Sequence, residues 1–136
     1  MPAGQNISSS GAFSQIDLGG TGTVSIGGNI STSNSNLTFS SPITLTAETL
    51  ITTSSGGGDI SIASTINGTV AGAQNFTFNA GTGNITVSGD TGASTRLGNA
   101  IIVSATDIDL QSVYAVSIDL QSGLGTSTLN GTLNTA

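Results

Sequence analysis

Short runs in which apolar and polar residues alternate recur along the chain and set the strongest limit on its fold. Successive side chains of a strand point to opposite faces, so a period of two gives each run one apolar face and one polar face. Gly, Asn, Ser and Asp, which favour turns, fill the intervals, and no window keeps the spacing of a helix. We therefore predict a chain of strands and turns, with no helix beyond one turn. The alternating pairs are Ile16/Leu18, Val24/Ile26, Leu37/Phe39, Ile43/Leu45, Ile60/Ile62, Phe76/Phe78, Ile85/Val87, Ile108/Leu110 and Ile118/Leu120.

One turn-and-strand motif occurs three times, as GTGTVSIGGNI (Gly20 to Ile30), GGGDISIASTI (Gly56 to Ile66) and GTGNITVSGDT (Gly81 to Thr91). We align Val24, Ile60 and Ile85 as equivalent positions, 36 and 25 residues apart, and Ile108 follows after a further 23. A step in the twenties is typical of one turn of a parallel β-solenoid, which stacks short repeats on one another. The interval of 36 then requires a turn with an insertion.

Shorter steps of 9 or 10 residues also recur, and we interpret them as successive faces within one turn of the solenoid. They run from Leu50 to Ile60, from Phe76 to Ile85 and from Ile108 to Ile118. The pentapeptide IDLQS, which occurs at Ile108 and again at Ile118, shows the short step most clearly.

These steps predict that residues 1–136 form a single parallel β-solenoid of about five or six coils, where a coil is one turn of the chain around the axis. Glycines turn the corners, and stacking is required because no coil can bury its own apolar face. The alternative is an antiparallel β-sandwich, in which Asn67-Gly68 and Asn130-Gly131 would form hairpin turns. For the solenoid, the predicted inward residues are Ile60, Ile62, Ile85, Val87, Ile108, Leu110, Ile118 and Leu120.

The composition excludes several classes of function. Only 6% of the residues are charged, the net charge is −6, and Arg96 is the one Lys or Arg. Binding to nucleic acid or to an anionic membrane surface requires several cations, so we expect neither. The chain has no Cys and therefore no disulfide. We expect no membrane insertion, because no run of about 18 apolar residues occurs.

The opening MPAGQNISSS has neither the basic nor the apolar region of a signal peptide. We therefore expect either a cytosolic protein or an internal segment of a longer chain. The second interpretation fits better, because both ends keep the alternating pattern, as though another coil should follow.

Without His, Cys or Lys, the usual nucleophile–base pairs and the nitrogen or thiolate metal sites cannot be built. We predict no catalytic, cofactor-binding or metal-binding residue, and therefore a protein that is not an enzyme. Asp107 and Asp109 would lie on one strand face, about 6–7 Å apart, which is within the range for glycoside hydrolysis by paired carboxylates. The favoured interpretation is a solvated outer face opposite inward Ile108 and Leu110. Asp59 in GGGDISIAS lacks the tandem neighbours of a calcium-binding solenoid.

Three further patterns bear on binding or on covalent modification. Thr-x-Thr pairs at Thr21/Thr23, Thr44/Thr46 and Thr126/Thr128 would suit an ice-binding solenoid if they shared one flat face. Tyr114 would favour sugar binding if it shared a groove with a carboxylate pair. Asn-x-Ser/Thr sequons begin at Asn6, Asn29, Asn36, Asn67, Asn75, Asn84 and Asn130 and are interpreted as a coincidence of composition.

The segments AGTGNITVSG, GGGDISIASTINGTVAGAQNFTFNAGTG and ATDIDLQS resemble the repeats of filamentous-haemagglutinin-like and autotransporter-like bacterial surface proteins. The resemblance covers roughly Gly20 to Leu120, and the Gly-Asn-Ile-Thr element at Gly83 to Thr86 is its most recognisable part. It implies a right-handed parallel β-helix at the cell surface or outside the cell, with glycosylated sequons in some members and host-cell or matrix glycans as candidate partners.

Together these features predict a structural, non-enzymatic stalk of a bacterial adhesin or extracellular fibre. The alternatives are a carbohydrate-binding or carbohydrate-active β-helix module and an ice-binding solenoid. Both ends of a solenoid expose unpaired strand edges. We therefore expect end-to-end association, either with flanking solenoid of the same chain or with identical copies.

Overall fold

The computed structural model describes residues 7–8, 15–18, 20–121 and 125–136. Sixteen strands and no helix are found among these residues. In chain order the strands are β1 (Ile7–Ser8), β2 (Gln15–Leu18), β3 (Val24–Ile26), β4 (Ile30–Ser31), β5 (Asn36–Phe39), β6 (Ile43–Leu45), β7 (Thr49–Thr52), β8 (Ile60–Ile62), β9 (Ile66–Gly68), β10 (Phe76–Asn79), β11 (Ile85–Val87), β12 (Leu97–Ser104), β13 (Ile108–Leu110), β14 (Val113–Leu120), β15 (Ser127–Leu129) and β16 (Leu133–Asn134).

The strands form three sheets in which every described pair is parallel. The first sheet has the order β1-β4-β7-β10-β12-β14-β16, the second β2-β5-β8-β11-β13-β15, and the third β3-β6-β9. Successive strands of the first four coils lie in different sheets, so the chain winds around an axis. The fold is a parallel β-solenoid of about five coils. The alternative of an antiparallel sandwich is wrong, and neither Asn-Gly pair forms a hairpin turn.

The third sheet continues beyond β9 as single bridges, from Ile66 to Thr91 and from Thr91 to Val113. Strand β14 starts at this bridge and runs on into the first sheet, where Ala115 to Leu120 pair with β12. The last coils therefore cross one corner without a break in the strand.

The register confirms most of the predicted spacing and corrects one position. Ile60, Ile85 and Ile108 are direct neighbours in the second sheet, and each step of 9 or 10 residues leads from one sheet to another. Val24, however, pairs with Ile43 in the third sheet, whereas the neighbour below Ile60 is Leu37. The interval of 36 residues thus contains no insertion. Its two ends lie on different faces of the solenoid. The sequence pattern aligned them because all three faces repeat the same inward–outward alternation.

Six of the eight predicted inward residues are buried, namely Ile60, Ile62, Ile85, Val87, Ile108 and Leu110. The other two, Ile118 and Leu120, lie on β14 near the end of the stack. Ile118 is only partly buried, and Leu120 is 39% exposed. Leu120 pairs in register with the buried Ile102 and so lies on the inward side, as predicted, but it stays exposed because no described residue pairs with it on the far side. A residue can point inward and stay exposed when nothing stacks on it.

Candidate functional site

A column of amide and carboxylate side chains lies at the corner that leads into the second sheet. The Oδ1 atoms of Asn36, Asp59, Asn84 and Asp107 each accept a hydrogen bond from the main-chain N–H of the residue in the next coil. The four N–H to Oδ1 distances are 2.8, 2.8, 3.1 and 2.7 Å, and the last donor is Thr126. We call this column the Asx ladder. It joins consecutive coils through side chains where the sheet hydrogen bonds are interrupted by a turn.

The glycines before the ladder residues allow the coils to approach closely at this corner. A Cβ on Gly83 would clash with the main-chain oxygen of Gly58 one coil below, and a Cβ on Gly58 would clash with the main chain of Ser35. Gly57 adopts a φ of 94°, in the region that side chains rarely allow. A Cβ on Gly56 would clash with the Asn34 side chain, so the run GGGD combines one positive φ and two close contacts with the ladder carboxylate that follows.

Charge alternates along the Asx ladder. Asn36, Asp59, Asn84 and Asp107 follow one another, so neither carboxylate lies directly over the other. Adjacent strands are about 4.8 Å apart, a separation at which two carboxylates repel each other. An amide between them supplies the same acceptor oxygen without the charge.

Similar side-chain contacts support the other two corners. Asn29 accepts from the Leu50 N–H at 2.9 Å, and Asn75 accepts from the Asn99 N–H at 2.7 Å. Asn67 accepts from two main-chain N–H groups of the next coil, and Asp90 accepts from the Ser112 N–H at 3.2 Å. Side-chain oxygens thus join some neighbouring coils at the corners that lead into each of the three sheets.

The recurrence of Asn-x-Ser/Thr follows from this architecture. Asn36-Leu37-Thr38 and Asn84-Ile85-Thr86 each place Asn at the corner, an apolar residue in the core and a hydroxyl on the outer face. Asn29, Asn36, Asn67, Asn75 and Asn84, five of the six sequon asparagines in the described residues, accept a main-chain hydrogen bond from the next coil. Asn6 lies outside the described residues. The triplet Asx–apolar–hydroxyl, which begins at Asn36, Asp59 and Asn84 but not at Asp107, was the signal in the sequence from which most of the ladder could have been found.

Asp109 lies on the outer face of β13, Asp107 lies at the corner just before this strand, and both are exposed, as the alternation predicts. They line a shallow open groove of about 370 Å³ with Asn84, Thr86, Thr126 and Thr128. Both carboxylates already have structural partners. Asp107 accepts from the Thr126 N–H, and Asp109 accepts from Asn130 Nδ2 at 2.5 Å.

The residues considered for sugar and ice binding do not come together. Tyr114 lies on β14 beside Asn134, and it does not line the groove of Asp107 and Asp109. Thr44 is in β6 of the third sheet, whereas Thr128 is in β15 of the second, so the Thr-x-Thr pairs do not share one face.

Arg96 is used for internal contacts. Its Nη1 donates to the main-chain oxygens of Ala115 and Asn134 at 3.0 and 2.8 Å, and its Nη2 donates to Asn134 Oδ1 at 2.8 Å. It ties the loop before β12 to β14 and β16. The sequence alone does not indicate this role, because the partners lie 19 and 38 residues away.

Within residues 20–121 and 125–136, whose side chains the structure describes, no three acidic, His or Cys side chains gather as a metal site. Asp59 acts as a rung of the Asx ladder. The described residues also contain no helix of the length and apolar character that a membrane span needs.

The ladders, the three parallel sheets and the stacked inward residues define the chain as a β-solenoid repeat protein. No protein-family model, curated protein or solved structure matches it.

Proposed function

We propose that this chain is a structural, non-enzymatic stalk segment of a bacterial surface adhesin or extracellular fibre. The observation that carries the proposal is that the carboxylates and amides at the corners accept hydrogen bonds within the fold. In the Asx ladder and at the other corners their oxygens bind the main chain of the next coil. A surface built in this way stiffens a rod. The cell-surface or extracellular location rests on the resemblance of the repeats.

The last coil supports a further part of the proposal, namely end-to-end assembly with a second copy of the chain. Strands β15 and β16 lie at the edges of their sheets, and the apolar side chains of Leu129 and Leu133 are 42% and 43% exposed. Strand edges offer unpaired N–H and C=O groups to another chain. The strands at both ends of the stack run in the same direction, so a copy shifted along the axis would continue the sheets in parallel. Such a head-to-tail contact does not close and gives filaments.

Light scattering and negative-stain microscopy of the purified chain test this assembly. We expect rods that lengthen with protein concentration and persist at high salt, because the contact combines main-chain hydrogen bonds with apolar burial. The double variant Leu129→Lys/Leu133→Lys should stay monomeric with an unchanged β-type circular dichroism spectrum. Val70→Lys is the matched control, since Val70 is 59% exposed but lies in the turn after β9, away from the last coil.

A chain that stays monomeric at high concentration would refute the assembly, and so would rods that form equally well in the double variant. Hydrolysis of a polysaccharide that is lost in Asp109→Asn would refute the non-enzymatic part of the proposal.

A further inference from the structure

The two Asn-Gly dipeptides of the chain lie in opposite environments. An Asn-Gly pair loses its side-chain amide readily, because glycine has no Cβ to hinder its main-chain nitrogen from reaching the Asn Cγ. Asn67-Gly68 belongs to β9 in the middle of the third sheet's stack, whereas Asn130-Gly131 lies in the turn between β15 and β16. The fold should therefore affect their chemistry differently.

In Asn67-Gly68, hydrogen bonds hold both the Asn67 side chain and the main-chain nitrogen of Gly68. Asn67 Oδ1 accepts from the Ser94 and Thr95 N–H groups at 2.9 and 3.2 Å. Gly68 is buried, and its N–H donates to the Thr95 oxygen at 3.2 Å. The nitrogen that would attack Cγ is thus paired with the next coil and shielded from the water or base that must remove its proton.

In Asn130-Gly131 the nitrogen that would attack Cγ is not restrained in this way, although the Asn130 N–H donates to the Leu110 oxygen at 2.8 Å. Both residues are exposed, and the Gly131 N–H forms no hydrogen bond with any residue that the structure describes. The Asn130 Nδ2 donates to Asp109 Oδ1 at 2.5 Å and more weakly to the Leu110 oxygen at 3.5 Å, so both contacts must be given up when the amide leaves. We propose that Asn130 is a site of spontaneous deamidation in the folded protein and that Asn67 is protected.

The reaction needs only water. The deprotonated Gly131 nitrogen attacks Asn130 Cγ, the C–N bond to the side-chain amide breaks, and ammonia leaves, which gives a five-membered succinimide. Water then opens the ring at either carbonyl. One opening gives aspartate and the other gives isoaspartate, in which the main chain passes through the former side chain. The net change is the addition of one water and the loss of one ammonia, with no change of oxidation state.

The product changes the contact with Asp109. An amide that donates a hydrogen bond is replaced by a carboxylate, so two negative charges face each other where a donor and an acceptor had met. Isoaspartate also lengthens the main chain by one methylene between β15 and β16. Both products should loosen the last coil, which holds the exposed Leu129 and Leu133.

Peptide mass spectrometry of the ageing protein tests the site. The folded chain and a urea-unfolded sample are incubated at mildly alkaline pH, and the exchange of ammonia for water is followed at each Asn-Gly pair. In the folded protein Asn130 should react at least about tenfold faster than Asn67, because reaction at Asn67 requires local opening of β9. In urea the two rates should converge. Equal rates in the folded protein, or faster reaction at Asn67, would overturn the proposal.

Two variants test the consequence. Asn130→Asp, which matches one product, should increase hydrogen exchange in β15 and β16, and added salt should reduce the increase. Adding Asp109→Asn to Asn130→Asp removes the facing charge and should restore slow exchange. An Asn130→Asp protein that exchanges like the unmodified chain would show that the contact with Asp109 does not hold the last coil.

Discussion

At the scale of single residues, the outer surface at the corners contributes to the fold through side-chain hydrogen bonds between coils. From the sequence alone, each residue of the Asx ladder would be interpreted as an ordinary solvated side chain. The four are Asn36, Asp59, Asn84 and Asp107. In the structure each supplies an acceptor for a main-chain N–H that has no strand partner at the turn. These hydrogen bonds are exposed, so water can replace a lost acceptor, but an intramolecular hydrogen bond still contributes about 0.5–1.5 kcal/mol, and the positions therefore favour side chains with an acceptor oxygen.

The Asx ladder predicts different effects for two substitutions of Asn84. Asn84→Ala removes the acceptor of the Asp107 N–H and should lower the free energy of unfolding by about 1 kcal/mol at any salt concentration. Asn84→Asp keeps the oxygen but stacks three carboxylates in a row, so it should destabilise the protein at low salt and recover as salt is added. Urea unfolding at two salt concentrations measures both effects.

Thr86→Ala is the matched control, because Thr86 lies two residues on, beside the ladder on the same outer face. It should change stability by no more than about 0.5 kcal/mol. If Asn84→Ala also stays within that range, the ladder contributes little to stability. If Asn84→Asp is insensitive to salt, charge is not the reason for the alternation.

The side of a strand on which a residue lies could be predicted from the sequence, but its contacts could not. Alternation alone placed Ile108 inward and Asp107 and Asp109 outward. The ladder bond of Asp107 with Asn84 depends on a main-chain approach across 23 residues. The length of the chain between two corners varies, so spacing in the sequence does not show which corner residues meet.

At the scale of elements, strands of two to four residues are too short to be stable alone and depend on the coils above and below them. Only β12 and β14 reach eight residues, where the chain crosses a corner without a turn. The three faces share one inward–outward pattern, so the sequence predicted the coil but assigned Val24 to the wrong sheet. The sheet that a strand joins depends on the lengths of the turns before it, and the apolar pattern does not show those lengths.

Arg96 is one of the side chains that hold the last described coil, and its removal tests how much it contributes. Arg96→Ala leaves the main-chain oxygens of Ala115 and Asn134 without their donor. Hydrogen bonds to a charged group contribute about 1.5–3 kcal/mol, so amides in β14 and β16 should exchange faster by a corresponding factor. Hydrogen–deuterium exchange with peptide resolution measures this change.

Arg96→Lys separates geometry from charge. Lysine keeps the positive charge but lacks the planar fork that reaches Asn134 through two nitrogens, so it should restore only part of the protection. Full recovery in Arg96→Lys would mean that charge alone fastens the coil. Unchanged exchange in Arg96→Ala would mean that stacking holds it without Arg96.

At the scale of the whole molecule, burial changes along the axis. Inward residues of the central coils, such as Ile60 and Ile85, are fully buried, whereas those of the last coil, such as Leu129, are not. In a solenoid each coil contacts only its neighbours, so stability is close to a sum over adjacent coils. The last described coil has one described neighbour and should open before the central coils.

This decrease in burial towards the last coil predicts that two truncations of similar size lower the free energy of unfolding by different amounts. Ile85→Ala creates a cavity between coils that cannot collapse freely, so it should lower the free energy of unfolding by about 2–5 kcal/mol. Leu129→Ala removes a half-exposed side chain and should cost about 1 kcal/mol or less, as expected from the smaller apolar area it buries. Urea unfolding at low protein concentration, where end-to-end contacts are scarce, gives both values. Equal costs at the two positions would mean that the coils unfold as one unit whose ends are as tightly packed as its centre. In that case the last described coil, despite its exposed apolar side chains, would be no less stable than the central coils.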